Sequence, residues 1–253
     1  MKKTILSIVV LIAFCFSAKA QFSIMPKGGV TLTSASAPKL FKDLGLGDSF
    51  KSRVGFAGGV AFNLGVNEMF SIQPELLFIQ KGFKADLTFD DGEGQEATIP
   101  LSINVSINYI EVPVLAKVSF GSETAKFFIN AGPSIGIGLG GKAKYSVPFL
   151  SFEGDTKFMD LGIGPINESG FSDASPDWAL NNRIDFGVQF GAGAAFQLGS
   201  GQVVLDARYG LGLTSLYKEQ TIAGFSAISK DNLKSKNNVL AFTLGYMIPI
   251  GGN

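Results

Sequence analysis

Eight stretches of this chain alternate large apolar side chains with small or polar ones at a period of two. Successive side chains of a β-strand point to opposite faces, so each stretch reads as a strand with one greasy face. In Arg53 to Leu64 the greasy face is Val54, Phe56, Gly58, Val60, Phe62 and Leu64; the other is Arg53, Gly55, Ala57, Gly59, Ala61 and Asn63. The same pattern runs through Phe22 to Leu32, Phe70 to Lys81, Tyr109 to Phe120, Phe127 to Leu139, Arg183 to Leu198, Val203 to Leu213 and Leu240 to Ile250.

A soluble sandwich also alternates, but turns its apolar face inward and its polar face to water. Here the polar face is rich in glycine and alanine, which suits a crowded interior. The strands reach the roughly 9–11 residues that a tilted strand needs to cross a bilayer. A lysine or arginine facing lipid at the midplane costs about 2–4 kcal/mol, and the central stretches of the greasy faces carry none. The connections alternate in length. Residues 33–52, 84–102, 141–182 and 217–238 are long; 65–68, 121–125 and 199–201 are short. Outer-membrane barrels have short periplasmic turns and long extracellular loops. The expected fold is all-β: a transmembrane antiparallel up-and-down β-barrel of about eight strands, with both termini periplasmic.

Residues 1–20 read as a cleaved signal peptide and 21–253 as the barrel domain. Lys2 and Lys3 precede the apolar run Ile5 to Phe16, and Ala18-Lys19-Ala20 is a small-x-small cleavage site. Phe14 stands before Cys15 where a lipoprotein signal wants a small residue, so cleavage after Ala20 removes the one cysteine. Loss of Lys2, Lys3 and Lys19 takes the basic count from 21 to 18 against 21 acidic residues, which gives no footprint for nucleic acid. Histidine is absent, so Ser–His chemistry is excluded. The expectation is a protein that is not an enzyme, with no cofactor and no metal.

Certain motifs carry a resemblance. They are Met25-Pro26-Lys27-Gly28-Gly29-Val30, Ser71-Ile72-Gln73-Pro74-Glu75-Leu76-Leu77-Phe78 running on through Gln80-Lys81-Gly82, and Asn108-Tyr109-Ile110-Glu111-Val112-Pro113-Val114-Leu115. Ala131-Gly132-Pro133, Asp185-Phe186-Gly187, Gly191-Ala192-Gly193 and Ala207-Arg208-Tyr209-Gly210-Leu211-Gly212-Leu213 follow. In order and spacing the chain resembles the PorT-like outer-membrane β-barrel family of Bacteroidota over essentially all of the exported part. The resemblance implies an outer-membrane barrel and a secretion-associated role. Unlike many barrels, the chain has its last aromatic at Tyr246, ahead of Ile248-Pro249-Ile250-Gly251-Gly252-Asn253.

The inward face collects Lys27, Arg53, Glu75, Lys81, Glu111, Lys117, Arg183, Asp185, Asp206 and Arg208. An eight-stranded barrel is only wide enough for its side chains, so these are expected to form an ion-pair network rather than a solute pathway, with Glu75, Glu111 and Arg208 in one cluster. The acidic tip Asp90 to Glu96 lacks the spacing of a calcium loop and reads as a solvated hairpin. Gly136-Ile137-Gly138-Leu139-Gly140-Gly141 lacks the helix of a dinucleotide site; its glycines read as inward positions making room for long charged partners. Loop 141–182 holds Phe149, Leu150, Phe152, Phe158, Met159, Leu161, Ile163 and Trp178. Such a cluster marks either a partner surface or a cap over the barrel mouth. The expected role is structural, docking or secretion-associated, through the extracellular loops. A narrow solute channel or a ligand-binding barrel is the alternative. The expected partners are outer-membrane lipid and other cell-envelope proteins.

Overall fold

The computed structural model describes residues 22–43, 45–90, 98–158, 178–180, 182–217 and 234–250. In chain order its strands are β1 (Phe22–Ala35), β2 (Phe50–Lys51), β3 (Arg53–Gly65), β4 (Phe70–Asp90), β5 (Thr98–Gly121), β6 (Ala125–Val147), β7 (Leu150–Phe158), β8 (Trp178–Leu180), β9 (Ile184–Leu198), β10 (Gly201–Gly212) and β11 (Asn237–Ile250). Eight of these close into an antiparallel barrel, each pairing with its barrel neighbour in the chain, and β11 returns to β1. Gly28 of β1 lies between Gly58 of β3 and Leu244 of β11. Closure leaves the barrel wall without a free edge.

The short turns fall at one end. Asn67 Oδ1 accepts from the amides of Met69 and Phe70 at 2.9 and 2.8 Å, which fixes the β3–β4 turn. Gly199, with φ +62, makes the β9–β10 turn that a residue with a Cβ rarely adopts. Pro74 removes a donor from β4, and two partner pairs drop out of the β3–β4 ladder beside it while the register holds.

The outer face carries an apolar belt. Exposed on it are Phe70, Ile72 and Leu76 of β4, Val112 and Val114 of β5, and Phe127, Ile129, Ile135 and Ile137 of β6. Among the described residues no charged side chain points outward within this belt. It spans 11 residues on β5, from Ile110 to Phe120, close to the length a tilted strand needs to cross the hydrocarbon.

Two connections read as loops contain long strand segments. β4 continues to Asp90 and β5 begins at Thr98, so most of 84–102 is a hairpin rising above the belt. β6 continues to Val147, and β7 folds back against it with Tyr145 opposite Phe152. The cause is a reversal of the alternation. From Phe70 to Phe78 the outward residues of β4 are greasy; beyond them Gln80, Lys84 and Asp86 face out, and Phe83, Ala85 and Leu87 are buried. On β5 the same reversal falls at Tyr109, with Ile103, Val105 and Ile107 buried and Asn104 and Asn108 on the outer face. Outside lipid, the wall faces water, and burial of apolar groups drives them into the lumen. A pattern sought as greasy-outward does not see these segments.

Candidate functional site

The lumen has two storeys. The lower lies inside the apolar belt and holds four buried carboxylates and four buried cations: Glu75, Glu111, Asp185 and Asp206 with Lys27, Lys81, Lys117 and Arg208. Glu75 and Glu111 are 2% and 1% exposed, so their charges need partners. Arg208 grips Glu75 with both terminal nitrogens, at 2.8 and 3.1 Å, and also pairs with Asp206. Lys27 reaches the same two acids, Asp206 at 2.9 Å and Glu75 at 3.4 Å. Lys81 bonds Asp185 at 3.0 Å and pairs with Glu111. Gln189 joins the two groups: its amide nitrogen donates to Glu111, and its oxygen accepts from Arg208 at 3.2 Å. Glu75, Glu111 and Arg208 therefore lie in one connected cluster spanning β4, β5, β9 and β10.

Lys117 stands apart. Its ammonium donates to Gln73 at 3.3 Å and lies 4.1 Å from the centre of the Phe128 ring. Among the described residues it has no ion pair. It borders a cavity of about 820 Å³ at the short-turn end of the barrel, walled also by Asn63, Phe128, Gln197 and Met247.

Arg53 corrects its sequence placement. β3 pairs with β4 only from Ala57 upward in number, so at Arg53 the strand has left its neighbour. The guanidinium crosses beside Gly82 to the outer row, donating to Asn104 Oδ1 at 3.0 Å, Gln80 Oε1 at 3.2 Å and the Lys81 carbonyl at 3.3 Å. Among the described residues it joins no interior carboxylate. Arg183 is exposed and lies 5.4 Å from the centre of the Phe158 ring.

The upper storey is apolar. Phe83, Leu87, Ile103, Val105, Ile107, Tyr109, Leu180, Leu216 and Tyr217 pack as one cluster. Phe50 stacks on Phe83 with ring centroids 5.4 Å apart. Phe158 enters edge-on to Tyr109 at 6.3 Å. A Cβ on Gly138 would stand 2.1 Å from the Phe158 ring. That glycine makes room for an aromatic ring, not for the charged partner the sequence suggested. No sequence signal separates these uses of a strand glycine, because the occupant comes from β7.

The aromatic-rich segment divides accordingly. Phe158 belongs to the plug. Phe149, Leu150 and Phe152, at the β6–β7 hairpin tip, are 104%, 55% and 51% exposed. Trp178 opens β8, which runs parallel to β7. Met159, Leu161 and Ile163 lie outside the described residues, as do residues 1–20 and the acidic tip beyond Asp90. On the outer face of the hairpins Lys51 bonds Asp86 at 2.8 Å, and Lys142 lies 3.1 Å from Asp155. Lys51 and Ser102 donating to Asp86 hold its carboxyl below the usual range.

An outward apolar belt around a closed antiparallel barrel sets the class, and comparison with protein families decides it. The family model of the outer membrane protein beta-barrel domain matches residues 17–218. The chain belongs to this family. It is an outer-membrane β-barrel protein. The match stops before β11, which the register nonetheless seats between β10 and β1. Solved structures similar to this barrel include the attachment invasion locus protein Ail of Yersinia pestis, at 14% identity over 90% of this chain and 99% of that one, TM-score 0.36. OprG of Pseudomonas aeruginosa is 11% identical over 92% and 98%, TM-score 0.43. Neisserial surface protein A is 11% identical over 90% and 97%, TM-score 0.39. No curated protein is detectably similar in sequence.

Proposed function

We propose that this barrel is a non-conducting, non-enzymatic anchor whose extracellular hairpins dock another cell-envelope protein. The observation that carries this reading is the β6–β7 tip. Strands far longer than a bilayer requires lift Phe149, Leu150 and Phe152 clear of the apolar belt, and they stay exposed. Exposed apolar clusters outside lipid mark partner surfaces. Below them the apolar plug and the ion network fill the lumen, which argues against a solute path. The resemblance to PorT-like barrels supports a secretion-associated partner, and residues 1–20 support export through a cleaved signal peptide with Gln21 as the first residue of the exported chain.

The test is site-specific photo-crosslinking at position 149 on intact cells. One protein adduct is expected, lost in the variant Phe149→Ser, Leu150→Ser, Phe152→Ser while the heat-modified gel mobility of the folded barrel is kept. An unchanged adduct pattern overturns the docking role. Steady unitary currents in planar bilayers would restore the channel reading. A second reading, a ligand-binding barrel, is favoured by the 820 Å³ cavity with Lys117 in its wall. It predicts that Lys117→Met abolishes uptake of small carboxylates measured by calorimetry.

A further inference from the structure

We propose that Arg53, Lys84 and Lys144, grouped around Asn104 on the outer wall, bind the phosphorylated saccharide headgroup of an outer-leaflet glycolipid. The grouping follows from register. Asn104 of β5 is paired with Lys84 of β4 on one side and Lys144 of β6 on the other. Cross-strand partners share a face, and the exposure of Lys144 shows that face to be the outer one. Arg53 joins the row from β3 through its bond to Asn104 Oδ1.

The electrostatics set this row apart from its neighbours. All three acceptors of Arg53 are neutral, so the guanidinium is held in place without its charge being balanced. Arg53, Lys84 and Lys144 have no ion pair among the described residues. Two acids border the row: Asp86, which takes Lys51 at 2.8 Å and Ser102 at 2.7 Å and also feels Lys84, and Glu153, which the register sets opposite Lys144 and which lies 3.6 Å from Lys142. Three cations beside an amide, none within ion-pair distance of a carboxylate among the described residues, outnumber the two bordering acids and suit phosphate, for which guanidinium is the favoured ligand.

Height along the wall selects the ligand. Asn104 lies six residues beyond Ile110, the last apolar outward residue of β5, or roughly 20 Å along a strand at 3.3 Å per residue. With the usual tilt of barrel strands, about 35–45°, the row stands well above the hydrocarbon edge. A glycerol phosphate falls short of it. A phosphate carried on sugars reaches it. The acyl chains of the same lipid would lie against the belt below.

The experiment uses the full-length barrel in phosphatidylcholine nanodiscs doped with rough lipopolysaccharide, its dephosphorylated form, or phosphatidylglycerol, with retained lipid counted by native mass spectrometry. Wild type is expected to retain the phosphorylated glycolipid selectively. Arg53→Gln, Lys84→Gln, Lys144→Gln is expected to lose about five-fold in retention per cation removed. Lys126→Gln, which removes a cation at the short-turn end of the barrel away from the row, is expected to match wild type. Folding is checked by heat-modified mobility. Should the triple variant not fold, the exposed single change Lys144→Gln carries the test with its five-fold loss. Equal retention by the variant and wild type overturns the proposal, as does equal retention of the dephosphorylated lipid or of phosphatidylglycerol. Displacement by inorganic phosphate alone would show a free-anion site and overturn the lipid assignment.

Discussion

The two storeys of the lumen are differently made. In the lower, salt bridges among Arg208, Lys27, Lys81 and four carboxylates occupy the centre, with a small apolar cluster of Met25, Ala61, Phe128, Ala195 and Val204 beside them. In the upper, Phe83, Ile103, Val105 and Ile107 fill it. The difference lies in what surrounds the wall. Within the hydrocarbon the outward positions are committed to apolar groups, and the transfer of further apolar groups from lipid to lumen releases no water, so ion pairs and hydrogen bonds specify the centre of the interior. Above the hydrocarbon the wall meets water, and the hydrophobic effect again has surface to remove. One continuous strand, β4 or β5, serves both regimes by reversing its alternation where it leaves the membrane.

The largest effect that sharpens this comparison is expected from Arg208→Met. It strips Glu75 of its two-nitrogen partner at 2.8 and 3.1 Å and weakens the hold on Asp206. Stranding a buried charge costs about 3–5 kcal/mol, read as a fall in the urea midpoint of the barrel in lipid vesicles. Adding Glu75→Gln should restore much of the loss, since Lys27 still serves Asp206 at 2.9 Å. If the double variant is no better than the single, the lower storey does not work by charge pairing.

The upper storey should answer differently. Phe83→Ala removes a ring that is 3% exposed and stacked on Phe50. A change of this kind costs about 3 kcal/mol. The plug sits above the belt, so the loss should appear as faster proteolysis and hydrogen exchange of the β4–β5 and β6–β7 hairpins, with the gel mobility of the barrel kept. Collapse of the whole barrel would show that the two storeys fold as one cooperative unit.

The same contrast explains what the sequence made legible. Lipid imposes a greasy-outward alternation that water does not, so the eight spans, the barrel and its charged interior are readable from the period of two. Lys27, Glu75, Lys81 and Asp206 sit inward because their neighbours two residues away do. Arg53 escapes that rule because β3 peels away from β4 before Ala57, and strand separation leaves no trace in alternation. The plug escapes it too. Its Tyr109 and Ile107 look like ordinary strand residues until β7 brings Phe158 back into the lumen. Two segments distant in sequence build that contact, and a one-dimensional pattern holds no term for it.

The smallest effect tests the outer wall of the upper storey. Asp86 is held below its usual range by hydrogen bonds from Lys51 and Ser102. A carboxyl whose folded pKa is depressed binds fewer protons folded than unfolded, so its stabilisation is fully present above the unfolded pKa. It is lost as pH falls through the folded value, which places the window in the acid range below about pH 4. The side chains of Lys51 and Asp86 are 59% and 41% exposed, and solvent screening limits such a pair to about 0–1 kcal/mol. Asp86→Asn should therefore flatten the acid dependence of hairpin proteolysis slightly, raise its rate at neutral pH by less than Phe83→Ala does, and leave the urea midpoint unmoved. A shift of that midpoint would mean that the outer wall above the membrane is coupled to the ion network below, against the division of the lumen into two regimes.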